Sequence, residues 1–305
     1  MSGFGNHRIA FIGFGEAAIA FVQGWEASDQ ALITAFDIKT DDQKPQIRQA
    51  KTEDYKRMKV AGCDTLEQAL AGVDVVFSLV TADQAEYVAT QAASFIDSGA
   101  FFLDCNSCSP GAKVRNSAKI NDAGGCYVDV AVMAPVHPKL HKTPVSLSGP
   151  DASAACDILN SFDMAATHME GEIGTSSSLK MIRSIMVKGM EALMAECVLA
   201  GQQAGMVDTV LESLEKTYPG FDFKNKAAYM LERSMTHGIR RAAEMREVAV
   251  TVDDLGLNGD MARATVQWQQ RNGDLKLQAI PDEGYEARAQ RLLIALSADA
   301  NKKDG

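Results

Sequence analysis

Two glycines and four small hydroxyl residues lead into a single lysine in the stretch GEIGTSSSLKMIRS, Gly171 to Ser184. On a helix, Lys180, Arg183 and Ser184 stand at i, i+3 and i+4 and share one face. A lysine there could accept a hydroxyl proton if desolvation, or a neighbouring cation such as Arg183, pulls its pKa down from about 10.4 towards the range of a general base. A surface lysine lying along an apolar helix is the competing reading. A second charged group, in THGIRRAAEMREVA from Thr236 to Ala249, sets His237, Arg240, Arg241 and Glu244 on one helix face. An arginine fork there could grip a carboxylate or phosphate in bidentate fashion. A plain salt-bridged face is the alternative.

Chemistry of another kind is written near the start. Gly13-Phe14-Gly15-Glu16-Ala17-Ala18 fits GxGxxA between a strand-like and a helix-like segment. The first glycine permits a tight turn, the second lets backbone approach a pyrophosphate, and Ala18 lets the helix pack close to the strand. The anion would then sit at the helix N-terminus. Asp37 closes the second strand about 20 residues on, where a carboxylate binds the adenosine ribose and repels a 2'-phosphate. NAD is therefore favoured over NADP, although Lys39 lies close by.

Several other residues invite a functional reading. Cys105 and Cys108 form a CxxC, but no second ligand pair accompanies them, so small residues at a strand end are the simpler explanation. No metal site is expected. His137, Lys139, His141 and Lys142 follow one another in a segment that reads as a solvated basic loop or as a source of polar contacts.

These groups need a scaffold, and the 305 residues can supply one large or two moderate domains. The first half alternates strand-like runs, from RIAFIGFG to VDVVFSLV, AFFLDCN, CYVDVAVM, PVSLSG and ATHME, with helical patterns such as Glu16 to Ser28. That is an α/β, Rossmann-type doubly wound parallel sheet with extra strands at its end. After Gly174 the pattern is all helical, over Leu179 to Ala204, Lys224 to Val252, Met261 to Gln270 and Tyr285 to Ala298, with NKKDG expected to fray. The expected domains are 1–174 for dinucleotide binding and 175–305, all-helical, for substrate and dimerisation. A net charge of −10 argues against a nucleic-acid partner. The absence of a long apolar run or leader-like start makes a non-membrane, cytoplasmic protein with reduced thiols the expectation.

GxGxxA, DCNSCSP from Asp104, VDVAVMAPV from Val128 and GEIGTSSSLKMIRS, in that order, resemble the 3-hydroxyacid and 6-phosphogluconate dehydrogenase superfamily over nearly the whole chain. The closest resemblance is to a little-characterised bacterial branch with a distinctive helical C-terminal domain. The resemblance implies an NAD-dependent oxidoreductase acting on a secondary alcohol, with Lys180 as general acid/base. It places Asn106 and Ser107 in the loop beside nicotinamide and substrate, puts Ser184 where the family keeps asparagine, with Arg183 taking over part of that role, and sets Arg240 or Arg241 in place of a lysine-containing motif; His237, on the same helix face as Arg241, is a further candidate substrate contact. The cofactor set becomes Gly13, Phe14, Gly15, Glu16, Ala17, Ala18, Asp37, Val80 and Asn106.

The chain departs from the family at Asp129 to Pro135, where a Ser-Gly-Gly carboxylate grip is replaced and Met133 points to a bulkier or more apolar hydroxy compound than a small 3-hydroxy acid. A homodimer is implied as well. Imine or other carbonyl reduction, oxidative decarboxylation of a sugar acid, and a non-catalytic NAD-sensing role stay open as alternatives.

Overall fold

A computed structural model of the chain describes residues 7–25 and 32–303. The chain divides into two compact units, Met1–Lys180 and Met181–Gly305.

The first unit is built on an eight-stranded sheet: β1 (Ile9–Ile12), β2 (Ile33–Phe36), β3 (Ala61–Gly62), β4 (Val75–Ser78), β5 (Phe101–Asp104), β6 (Cys126–Val132), β7 (Val145–Ser148) and β8 (Ala166–His168). Their spatial order is β3-β2-β1-β4-β5-β6-β7-β8. Strands β1 to β6 run parallel, β7 pairs antiparallel with β6, and β8 runs parallel to β7. The expected doubly wound parallel sheet is thus formed by six strands, and the extra strands expected at its end are β7 and β8. The connection from β6 to β7 carries no crossover α-helix, the usual means of a parallel return.

Central strands such as IAFI and VVFS are buried at every position because helices cover both faces. Alternate side chains serve alternate cores. Ile9, Phe11, Val75, Phe77 and Leu103 join one cluster, while Ala10, Ile12, Val76 and Phe102 join the other. Phe11 and Phe77 stack with ring centroids 5.1 Å apart.

The covering helices are α1 (Glu16–Gly24), α2 (Pro45–Met58), α3 (Leu66–Leu70), α4 (Ala85–Ala92), α5 (Pro110–Asp122) and α6 (Ala152–Ser161). Helix α1 stops at Gly24, earlier than expected. Trp25 there turns extended and is buried among Phe11, Phe21 and Phe77. The expected continuation to Ser28 lies outside the described residues. Sequence patterning did not mark α2, α3 or α6.

Helix α7 (Thr175–Gln203) begins in the first unit and runs on into the second. The second unit adds α8 (Val207–Thr217), which the sequence reading also missed, α9 (Phe223–Asp254), α10 (Asp260–Asp274) and α11 (Tyr285–Lys303). No strand interrupts them among the described residues. Two apolar clusters hold this unit, one around Leu199, Leu231 and Leu292 and one around Met181, Met245 and Val248. Asn301 to Lys303, expected to fray, continue α11. Among the described residues no helix is long and apolar enough to cross a membrane.

Candidate active site

The sheet reverses direction beside β1, which lies between β2 and β4. Ligands of open α/β sheets bind at such a switch point, beyond the carboxyl ends of the strands. Gly13 to Ala18 follow β1, Leu79 and Val80 follow β4, and Asn106 and Ser107 follow β5.

The glycine turn fits a dinucleotide. Gly13 has φ +82, and a Cβ there would lie 2.5 Å from the Leu79 carbonyl oxygen and 2.9 Å from Val80 Cγ1. Gly15, by contrast, faces open space. As N-cap of α1 it gives that helix no side-chain cap, so the first turn presents its amide end to the opening. Ala18 is fully buried against the sheet, and Glu16 is exposed.

Phe14 and Asp37 play parts the sequence did not assign. The Phe14 ring is fully buried, 5.2 Å from that of Tyr55, so it serves the core. Its amide donates to Asp37 Oδ2 at 2.8 Å, and its carbonyl accepts from Lys51 Nζ at 2.5 Å. Asp37 Oδ1 accepts the Lys39 amide at 3.0 Å, and Lys51 Nζ stands 4.0 Å from Asp37 Oδ2. The carboxylate expected at the ribose thus also ties β2 to the glycine turn, with Lys51 of α2 latching the same peptide.

Lys180 Nζ donates to Ser107 Oγ at 2.6 Å. Both residues are partly buried. Beside them, the Asn106 carboxamide is engaged on every side. Its Oδ1 accepts the Val80 amide at 2.7 Å, and its Nδ2 donates to Ser78 Oγ at 3.0 Å and Asp104 Oδ1 at 2.8 Å. Asn106 therefore holds the loop. Both carboxamide hydrogens are used, so the contact expected of it with substrate or cofactor would fall to the second lone pair of Oδ1. Gly13, Val80, Asn106, Ser107 and Lys180 form one continuous chain of contacts.

A buried polar cluster lies within the same unit. Asp104, Lys113 and Asp129 are all fully buried, with Lys113 Nζ 3.0 Å from Asp104 Oδ1 and 3.5 Å from Asp129 Oδ1. Tyr127 OH donates to Asp104 Oδ2 at 2.6 Å, and Asn116 Nδ2 to the same oxygen at 3.3 Å. Burial alone would depress the Lys113 pKa, but the two carboxylates outweigh it and raise it above the usual lysine range. Burial, then Asp104, pushes the Tyr127 phenol up. The Cys105 thiol is pushed up to about 12, chiefly by burial, so it is no thiolate nucleophile near neutrality.

Sequence reasoning missed this cluster because the inward face of α5 is Lys113, Asn116, Ser117 and Ile120, mostly polar where an apolar stripe would have announced burial. The available signal was the pair of aspartates at equivalent strand positions, Asp104 opposite Asp129.

Other expected residues lie elsewhere. Met133 follows β6 and donates its amide to the Pro144 carbonyl at 2.9 Å. His141 is buried with Nε2 3.5 Å from Asp163, while His137, Lys139 and Lys142 are exposed, so the solvated-loop expectation is corrected at His141. Arg183, Ser184, His237 and Arg241 all belong to the helical unit. Arg183 is exposed, and His237 is partly buried. Ser184 is buried and accepts from Lys188 Nζ at 2.9 Å, and Lys188 pairs with Glu244 at 2.9 Å. The Arg241 fork expected for a substrate anion is instead buried against Glu191, 3.0 Å away, and Gln269 also donates to Glu191 at 3.0 Å. Burial lowers the Arg241 pKa and raises that of Glu191.

Residues 8–170 match the NAD binding domain of 6-phosphogluconate dehydrogenase. The chain belongs to this family. Residues 202–272 match a domain of unknown function (DUF1932). A conserved hypothetical protein from Sinorhizobium meliloti 1021 is 34% identical, with a TM-score of 0.72 over 94% of this chain and 96% of that one. Conserved protein MTH1747, whose structure is described as similar to 3-hydroxyacid dehydrogenases, is 27% identical with a TM-score of 0.67, covering 88% of this chain and 97% of that one. The 3-hydroxyisobutyrate dehydrogenase of Mycobacterium tuberculosis, solved with L-serine, shares the fold at 14% identity, with a TM-score of 0.70 over 94% of this chain and 99% of that one. Family membership establishes a nicotinamide-binding oxidoreductase of the dehydrogenase type and agrees with the resemblance that the four motifs carry.

Proposed function

We propose that the protein is an NAD-dependent dehydrogenase of a secondary alcohol, a 3-hydroxy acid or a related bulkier hydroxy compound, with Lys180 as general acid/base. The observation that carries this reading is the Lys180 Nζ to Ser107 Oγ hydrogen bond, one residue from the Asn106 side chain that pins Val80 beside the glycine turn. When bound, the nicotinamide supplies the hydride acceptor for the carbinol carbon. Ser107 Oγ orients the substrate hydroxyl, and Lys180 Nζ takes its proton; in reduction Lys180 returns it. Asp37 favours NAD, since a carboxylate near the ribose repels a 2'-phosphate. Met133, Arg183, Ser184 and His237 are assigned to the substrate environment on the resemblance.

Residues 1–174 hold the cofactor, and 175–305 contribute substrate contacts and dimerisation. Large exposed apolar residues at Ile182, Met186 and Leu193 of α7 support a homodimer, because such residues repeated along one helix mark a contact surface.

The test is an NAD-reduction screen over aliphatic and aryl hydroxy acids, sugar acids and simple alcohols, with Lys180→Ala as control. Turnover by wild type and its loss in the variant support the reading; equal rates overturn the general-base assignment.

A further inference from the structure

We propose that Asp129 is a positioning residue for Lys180, acting through the start of α7 and sharing the Lys113 ammonium with Asp104. This inference rests on the general-base reading of Lys180.

A helix usually satisfies its first amides with a Ser, Thr, Asp or Asn immediately before it. Helix α7 has Gly174 there, which offers no side chain. The Gly174, Ser176 and Ser177 amides are taken by side chains of the sheet instead. Asp129 Oδ2 on β6 accepts the Gly174 amide at 3.1 Å and the Ser177 amide at 2.9 Å, while Ser148 Oγ on β7 accepts the Ser176 amide at 2.9 Å. Ser177 Oγ donates to Asp129 Oδ1 at 2.5 Å, and Ser148 Oγ to Asp129 Oδ2 at 3.2 Å. The helix-to-sheet partners are 28 to 48 residues apart in sequence, so the first turn of α7 is fixed to the sheet as well as, through the Thr175 amide on the Glu172 carbonyl, to its own lead-in loop.

The Ser107 loop is referenced to the next strand in the same way. Asp104 Oδ1 on β5 accepts both the Asn106 amide at 3.0 Å and its carboxamide at 2.8 Å. Lys113 then joins the two halves, reaching both carboxylates and also donating to the Asp104 carbonyl at 2.5 Å. A single buried cation thereby sets the loop that carries Ser107 and the helix that carries Lys180 in one frame. Stability alone does not call for such an arrangement, since buried ion pairs often contribute no more than apolar side chains of the same volume. The positioning it provides matters because a shift of about 1 Å at a reacting group costs roughly a hundredfold in rate.

The test uses the full-length protein with Asp129→Asn, Ser177→Ala and Ser148→Ala, each alone and combined with Lys180→Ala; the serine variants keep the test valid if Asp129→Asn fails to fold. Turnover is measured with the fastest acid from the NAD-reduction screen. The expected result is a fall in kcat of about tenfold or more, with KM and the NAD Kd unchanged, and no further fall in the Lys180→Ala background. Equal losses in both backgrounds, or an unaltered kcat, overturn the proposal while leaving the general-base reading standing. An unchanged rate in Lys180→Ala itself overturns both. Should no acid be oxidised, the dehydrogenase reading fails, and deuterium uptake over residues 175–180 decides the cap. Faster uptake in Ser177→Ala supports it, and unchanged uptake overturns it.

Discussion

The Val80 amide donates to Asn106 Oδ1 at 2.7 Å, so the loops after β4 and β5 are joined edge to edge. Val80 also closes over Gly13, and Asn106 precedes the serine that meets Lys180. One side-chain amide therefore couples the glycine turn to Ser107 and Lys180, the pair proposed for proton transfer. Neither end can move far without the other.

Removing the proposed base should separate binding from chemistry. Lys180→Ala is expected to lower kcat by roughly a hundred- to ten-thousandfold, the usual contribution of a positioned acid or base. The NAD affinity, read by nucleotide fluorescence, should stay within about twofold. Ser107→Ala should show a smaller loss with the same split.

The two turn glycines should respond differently to one methyl group. Gly13→Ala drives Cβ into the Leu79 backbone and forces a left-handed conformation, so both melting temperature and NAD binding should fall. Gly15→Ala meets open space, with φ −98 already ordinary for alanine. Its melting temperature should hold while NAD affinity drops, because the methyl occupies the place of the pyrophosphate. Paired calorimetric melting and titration distinguish the two.

Asp37→Asn keeps an acceptor for the Phe14 amide but removes the charge. NAD affinity is expected to weaken modestly and NADP affinity to rise, which steady-state KM values for both cofactors would show. An unaltered ratio would confine Asp37 to its bond with the turn.

The buried Arg241–Glu191 pair makes a stability prediction with a pH sign. Arg241→Met should cost about 3–5 kcal/mol in denaturant unfolding, because it strands a buried carboxylate, and Glu191→Met in addition should restore most of it. With the arginine gone, the folded pKa of Glu191 rises further above 4.5, its ordinary value. A group with a raised folded pKa favours the folded state below its unfolded pKa and loses that contribution as pH rises through the folded value. The deficit of Arg241→Met should therefore be smaller at about pH 4 than at pH 8.

Light scattering tests the proposed dimer. Wild type should show twice the chain mass, and Met186→Glu, which places a charge on the exposed face of α7, should shift the population to monomer. A wild-type monomer would remove the dimer from the reading.

Sequence and structure contributed unequally to these conclusions. Alternating β-branched runs, the GxGxxA turn and helical spacing after Gly174 were enough to specify the α/β sheet, its glycine turn and the helical second half. Each is a local signal, set by backbone sterics or by burial on a fixed period. Lys180 and Ser107 were also legible as candidates, through motif order. What the sequence could not decide is which polar groups pair once the chain is folded. Asp37 reaches back to the Phe14 amide, Arg241 turns to Glu191, His141 meets Asp163, and Lys113 joins Asp104 to Asp129. Those choices are made over tens of residues by the demand that every buried charge and amide find a partner, and only the tertiary structure brings the partners together.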